Sequence, residues 1–228
     1  MRGLRGFSRN VLPRADRAGG VERVDAAAGT PGAKARLRAE VLERRRRRTA
    51  AVRERDREGF ATHLSRVLAG HGPGDVAAFL PLPGEPPVLH GLERAHAAGR
   101  RVWLPVVEPG HRLSWAQWRT DAPLAPGNLP GLLEPTGPRR GLEVFATVRL
   151  LLVPVVAVDR GGVRLGFGGG YYDRFLPLLA GAGREPEILA CCHADEVLPA
   201  GTVPREPYDA VLPGVLTERG TIRLGPAA

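Results

Sequence analysis

One lysine, Lys34, stands in this 228-residue sequence against 32 arginines. In so arginine-biased a chain, a lone lysine is a candidate for a role that a planar guanidinium cannot fill; the plainer alternative is a single surface lysine. Cysteine is nearly as scarce. Cys191 and Cys192 are adjacent, and neighbours in sequence rarely bridge to each other, so a disulfide framework is excluded and a reducing, cytoplasmic setting is expected. No CxxC or HxxxH spacing suggests zinc. No run of about eighteen apolar residues is present to form a membrane span. The longest apolar stretch, LLLVPVVAV (Leu150–Val158), has the length of a buried strand, with Pro154 suited to a strand end or a bulge. The first 30 residues lack the apolar core of a signal peptide, and Asp16, Glu22 and Asp25 argue against a transit peptide. Residues 1–31 read as a disordered extension.

The net charge of +9 suggests nucleic acid until it is located. Residues 1–60 hold 17 basic against 8 acidic side chains, whereas residues 61–228 hold 16 of each. The body is neutral, so a dedicated nucleic-acid partner is not expected, and a nucleic-acid-binding protein acting through its basic N-terminus is the alternative from another class. The five arginines at 44–48 read as a solvated helix face, with a phosphate-backbone site as the sharper alternative. No aromatic residues interleave with them, as single-strand binding would ask.

Apolar spacing predicts helices over 34–48 and 50–69, the second with Phe60, Leu64, Val67 and Leu68 on one face. From Asp75 strands and helices alternate. Strands are predicted at Val76–Leu82, Arg101–Val107, Leu113–Trp118, Leu150–Val158, Glu187–Cys192 and Ala210–Leu216. Helices are predicted at Val88–Ala98 and from Tyr171, with Pro177 kinking or shortening the latter. This is the pattern of one α/β domain, residues 32–228: three-layered and Rossmann-like, with a mostly parallel sheet and helices on both faces. There is no internal repeat, and a monomer is expected.

RLGFGGGYYDRF, residues 164–175, follows the apolar strand and precedes a helix, where open α/β sheets place ligands. It is neither a P-loop, lacking the closing Gly-Lys-Ser/Thr, nor the dinucleotide fingerprint, having tyrosine where the third glycine belongs. Backbone N–H groups around Gly166, Gly168, Gly169 and Gly170 are able to form an anion nest, with Arg164 as a fork-shaped donor. Asp173 would repel a bare phosphate, a conflict that Mg²⁺ between them would remove. A tight glycine turn is the simpler alternative.

The stretch LLVPVVAVDRGGVRLGFGGGYYDRFL (Leu151–Leu176) resembles the signature of the 5-formyltetrahydrofolate cyclo-ligase, or 5,10-methenyltetrahydrofolate synthetase, family. Weaker echoes lie in Lys34 and Arg38, in PLPGE (Pro81–Glu85), in Glu134-Pro135, and in Asp209 with Thr217-Glu218; the likeness covers residues 33–223. It implies an ATP- and Mg²⁺-dependent enzyme that turns 5-formyltetrahydrofolate into 5,10-methenyltetrahydrofolate, releasing ADP and phosphate. It also implies residue roles. Lys34, Arg164 and Asp173 would be catalytic. ATP would be bound by Lys34, Ala35, Arg36, Leu37 and Arg38, and by Arg164, Leu165, Gly166, Phe167, Gly168, Gly169, Gly170, Tyr171 and Tyr172. Glu85 and Tyr172 would meet the reduced folate, Glu85 being otherwise an ordinary loop glutamate. Asp173 and Asp209 would hold the metal. Two departures stand out: Glu85–Val88 reads E-P-P-V where the family often has E-V-D-T, and Gly169 replaces a lysine found in some members. The first keeps open a relative that uses the same loop on another substrate. The second shifts phosphate stabilisation onto Lys34, Arg38, Arg164 and the metal. His193 is expected to be structural or at the surface.

Overall fold

The computed structural model describes residues 31–207 and 209–225; the expected N-terminal extension falls, over residues 1–30, outside them. Two helices come first, α1 (Pro31–Arg46) and α2 (Ala50–Gly70). Then follow β1 (Asp75–Ala77), α3 (Leu89–Ala97), β2 (Val102–Glu108), β3 (Arg112–Trp118), β4 (Leu124–Pro126), β5 (Leu133–Pro135) and β6 (Arg139–Arg140). The chain continues through β7 (Val148–Pro154), β8 (Ala157–Asp159), β9 (Arg164–Leu165), α4 (Tyr171–Gly181), β10 (Glu187–Cys191), β11 (Val197–Leu198), β12 (Gly214–Thr217) and β13 (Gly220–Arg223). Eight strands form the main sheet in the order β13-β12-β10-β7-β1-β2-β3-β6. The five from β12 to β2 run parallel, β13 and β3 run against them, and the short edge strand β6 pairs antiparallel with β3.

A strand segment covered on both faces must be apolar throughout, and β7 meets that condition from Leu150 to Val153, past the exposed Arg149. Leu150 and Leu152 face Phe60, Leu64 and Leu68 of α2 and Leu92 of α3. Leu151 and Val153 face Phe175, Leu176 and Leu179 of α4. The same alternation sends Cys191 into one layer and Cys192 into the other, so the two thiols cannot meet, and both are free and buried. Thr49 caps α2, its hydroxyl accepting from Val52 N at 3.3 Å. α4 runs through Pro177, which sits on the exposed side, and ends only at Gly181.

Three predicted strands are shorter than their apolar runs. β1 stops at Ala77, where the chain turns toward Pro81-Leu82-Pro83. The last parallel strand begins at Gly214 rather than Ala210. The run Leu150–Val158 is broken at Pro154: β7 ends there, and β8 belongs to a separate three-stranded sheet, β11-β8-β9. The glycine-rich loop therefore follows the β8–β9 hairpin instead of the central strand itself.

The break strands two carbonyls, and α1 supplies their donor. Arg45 is 2% exposed. Its Nη2 donates to Val155 O at 2.8 Å and Val156 O at 3.1 Å, and its Nε and Nη2 reach the two carboxylate oxygens of Glu196, each at 2.8 Å. The arginine run 44–48 is thus not a purely solvated face. Beside Arg45, Val41 packs with Val156, Leu165 and Val203, and Leu37 and Leu42 lie against the same cluster.

Removing one partner of a buried ion pair leaves the other charge uncompensated, at about 3–5 kcal/mol. Arg45→Met is expected to lose that much stability in urea denaturation. Arg45→Met combined with Glu196→Met is expected to regain only part, because the carbonyls of Val155 and Val156 still lack a donor.

Candidate active site

The C-terminal ends of the parallel strands open into a cavity of about 630 Å³. α1 reaches it with Lys34 and Arg38, one turn apart and on one face. Lys34 Nζ lies 2.7 Å from both Glu206 Oε2 and Asp209 Oδ2. Burial pulls the Lys34 pKa down, but the two carboxylates outweigh it and hold the ammonium above its usual value. Asp209 is fixed in turn by Glu206 N, which donates to its Oδ2 at 2.8 Å. Arg38 Nε donates to Gly166 O at 2.8 Å, tying α1 to the start of the loop.

The loop needs glycine where its backbone turns left-handed, with φ of 103° at Gly168 and 65° at Gly170. Gly170 precedes the first turn of α4, which contains Asp173. A helix N-terminus of this kind favours an anion in front of it. Arg164 is buried beneath the loop, and its guanidinium donates to the Asp173 carboxylate and to Ala210 O. The expected phosphate fork is therefore engaged with the acid that was expected to hold metal, while both line the cavity.

The same cavity holds Glu85 and Tyr172. Glu85 accepts from Leu82 N at 2.8 Å, and the protein around its carboxyl group pushes its pKa above the ordinary range, against the pull of that N–H and of Arg45. The Tyr172 hydroxyl is buried without a hydrogen-bond partner among the described residues. Burial, reinforced by the nearby Glu85 carboxylate, drives its pKa well up, so it remains a neutral donor. The walls between are apolar, including Phe79, Leu104, Val107, Leu113, Leu129 and Leu133.

Of the predicted site residues, Lys34, Arg38, Glu85, the whole of Arg164–Asp173 and Asp209 line this one cavity. Ala35 and Arg36 are exposed, and Leu37 packs into the small cluster behind α1; none of the three lines it.

Three contributors were not apparent in the sequence. Glu206 shares Lys34 with Asp209. His111, at the tip of the β2–β3 hairpin with φ 57°, approaches Gly169 O with Nδ1 at 2.9 Å, and its ring lies 5.4 Å from that of Tyr171. The β4–β5 hairpin is pinned to Val107 on both sides: Val107 N donates to Glu134 Oε1 at 2.9 Å, and Asn128 Nδ2 donates to Val107 O at 2.7 Å. That pinning holds Leu129 and Leu133 at the cavity. The pair Glu134-Pro135 was the only sequence signal of it. His193 is buried, 3.3 Å from Asp56 Oδ2 and edge-on to Phe60, which agrees with a structural reading.

The family model described as the 5-formyltetrahydrofolate cyclo-ligase family matches residues 31–218. A 5-formyltetrahydrofolate cyclo-ligase of Mycolicibacterium smegmatis is 34% identical over 206 residues, 86% of this chain and 99% of that protein. The Escherichia coli K12 enzyme of the same name is 31% identical over 183 residues, covering 78% and 96% of the two chains. Among solved structures, the 5,10-methenyltetrahydrofolate synthetase of Aquifex aeolicus superposes with a TM-score of 0.69 at 29% identity, covering 86% of this chain and 94% of that one. The Mycoplasma pneumoniae synthetase, at 19% identity and a TM-score of 0.64, shares the fold.

A carboxyl group whose pKa is raised by folding destabilises the fold once pH exceeds its unfolded value. For Glu85 the penalty is absent below about 4.5, grows as pH rises toward the raised folded value and is complete above it. Glu85→Gln keeps an acceptor for Leu82 N but never ionises. Its Tm is expected to match the parent at acid pH and to exceed it at pH 8, at ~2–4 °C per kcal/mol relieved.

Proposed function

The chain belongs to the 5-formyltetrahydrofolate cyclo-ligase family, and we propose that it closes 5-formyltetrahydrofolate to 5,10-methenyltetrahydrofolate at the expense of ATP. The observation that carries this reading is the union, in one cavity, of the cations Lys34, Arg38 and Arg164, the glycine-rich loop, apolar walls, and the Glu85 and Tyr172 side chains. In the proposed reaction the terminal phosphoryl group of ATP passes to the formyl oxygen, leaving ADP. N10 then forms a bond to the formyl carbon and loses its proton. The carbon–oxygen bond breaks, and phosphate departs.

Each protein group has a part that its surroundings support. Lys34, kept protonated between two carboxylates, offers a compact charge to phosphate oxygens. The left-handed glycines let backbone N–H groups approach the phosphates closely, and Arg38 fixes the loop that carries them. The carboxylate of Glu85 can accept from pterin N–H groups, and Tyr172 keeps a donor in reserve. With substrate seated against them, the apolar walls would keep water from intercepting the activated formyl group before N10 reaches it.

Asp173 and Asp209 are the groups that would hold Mg²⁺. Both line the cavity with hard oxygen donors. Among the described residues no set of three or more His, Cys, Asp or Glu side chains converges on a metal site. That suits an ion usually held by one or two carboxylates together with substrate phosphates. Bound there, Mg²⁺ would neutralise phosphate charge. The positions of Lys34 against Asp209 and of Arg164 against Asp173 keep those carboxylates neutralised in its absence.

Purified protein given ATP, Mg²⁺ and 5-formyltetrahydrofolate is expected to develop the absorbance of the methenyl product with one ADP per turnover; neither signal appearing would sink the reading. Lys34→Arg is expected to lower kcat/KM by about tenfold, equivalent to ~1.4 kcal/mol of transition-state binding. The broader guanidinium does not fit the point between Glu206 and Asp209, and unchanged kinetics would return Lys34 to an ordinary surface role.

A further inference from the structure

The turn Pro81–Glu85 is a wall common to two cavities. Leu82 and Glu85 face the one already described and also a second, of about 420 Å³. Four arginines, Arg45, Arg48, Arg53 and Arg57, line this second cavity against two glutamates, Glu85 and Glu93. They come from the end of α1, the turn after it and the first half of α2, the segment whose arginine run has no part in the proposed reaction.

The cluster is not an ordinary solvated basic face. Arg45 and His193, which also lines the cavity, are 2% and 3% exposed. Arg45 Nη1, Arg48 Nε and His193 Nδ1 are buried and make no hydrogen bond among the described residues, although His193 Nδ1 contacts the Asp56 carboxylate. Buried polar atoms are nearly always satisfied, so two orphaned guanidinium N–H groups in one pocket wall need a partner of their own. The remaining donors of Arg45 are held by Glu196 and by carbonyls, and those of Arg48 by Asp56 and Asp195. These contacts fix both guanidinium planes while leaving one buried N–H of each without an acceptor among the described residues. At the exposed side lie Arg53, whose guanidinium donates to Arg48 O and Arg46 O, and Arg57, paired with Glu54. Fixed guanidinium forks of this kind match the oxygens of phosphate and carboxylate groups.

We propose that this second cavity binds a compact polyanion carrying phosphate or carboxylate groups. Two sources share that chemistry. One is a free anion in solution. The other is the glutamate end of a folate lying in the main cavity and crossing the shared turn, and only this second source rests on the folate reading above.

The test is calorimetric titration of the full chain with inorganic pyrophosphate at low ionic strength. Native protein is expected to show two binding events. Lys34→Ala removes the event in the main cavity and keeps the other. Arg53→Gln combined with Arg57→Gln weakens the other on the order of tenfold and keeps the first. Both replaced side chains are exposed, so the fold survives. A double variant that titrates like native protein, or a native protein whose only event disappears with Lys34→Ala, overturns the proposal. Turnover then separates the sources. A raised KM for 5-formyltetrahydrofolate but not for 5-formyltetrahydropteroate, which lacks the glutamate, assigns the site to the substrate's own end; unchanged KM values for both assign it to a free anion. Absence of turnover with the expected titration pattern defeats the folate reading alone.

Discussion

Where the central strand reaches Pro154, the sheet can no longer supply donors, and one guanidinium takes over. Arg45 accepts responsibility for the carbonyls of Val155 and Val156 while neutralising Glu196. Because Arg45 sits on α1, the same contacts fix how that helix lies across the sheet ends. Lys34 and Arg38 project from it about three and two turns earlier, and Arg38 then anchors the glycine-rich loop. A buried charge that does not itself line the main cavity therefore helps determine where its charged groups stand. Such pairs add little net stability compared with apolar packing, so their value here lies in orientation.

Within the cavity every charged group begins with a partner. Lys34 lies between Glu206 and Asp209, and Arg164 holds Asp173. Isolated ions would be costly in a wall that is otherwise apolar. In the proposed reaction these pairs are exchanged rather than created, with phosphate taking cations and Mg²⁺ taking carboxylates. A polyanion thus enters a prearranged field with little reorganisation of the protein. Tyr172 and Glu85 stand apart, a donor without a partner among the described residues and an acid that accepts from Leu82 N yet is held above its ordinary range. Groups kept in so costly a state are what a site carries for its substrate at the expense of the fold.

Much of this was legible in the residues. The alternation of apolar runs with turn-rich segments gave the α/β class, and Leu150–Val153 could only be a strand covered on both faces. The ordered signature from Leu151 to Leu176, together with the lone lysine, led to the loop and its distant helix. Boundaries failed where composition is blind to topology. Val155 and Val156 are as apolar as Leu151, yet Pro154 sends them into another sheet. Arg45 and Arg46 look alike in sequence, but helical phase buries one and exposes the other. His111 and Glu206 were invisible because their neighbours in space lie 58 and 172 residues away. Ala35, Arg36 and Leu37 entered by contiguity alone, and a helix presents only every third or fourth residue to a given neighbour.

The two cysteines carry a consequence of a different kind. Adjacent at the end of β10, Cys191 as its last residue and Cys192 just past it, they point into opposite layers, and burial raises both thiols well above their ordinary pKa. Neither is nucleophilic while the strand is covered, and each becomes so only when its own layer lifts away. One short strand thereby carries a paired reporter: alkylation at Cys191 records separation of α2 and α3 from the sheet, and alkylation at Cys192 records departure of α4. The order in which the two react would reveal which side of the molecule opens first.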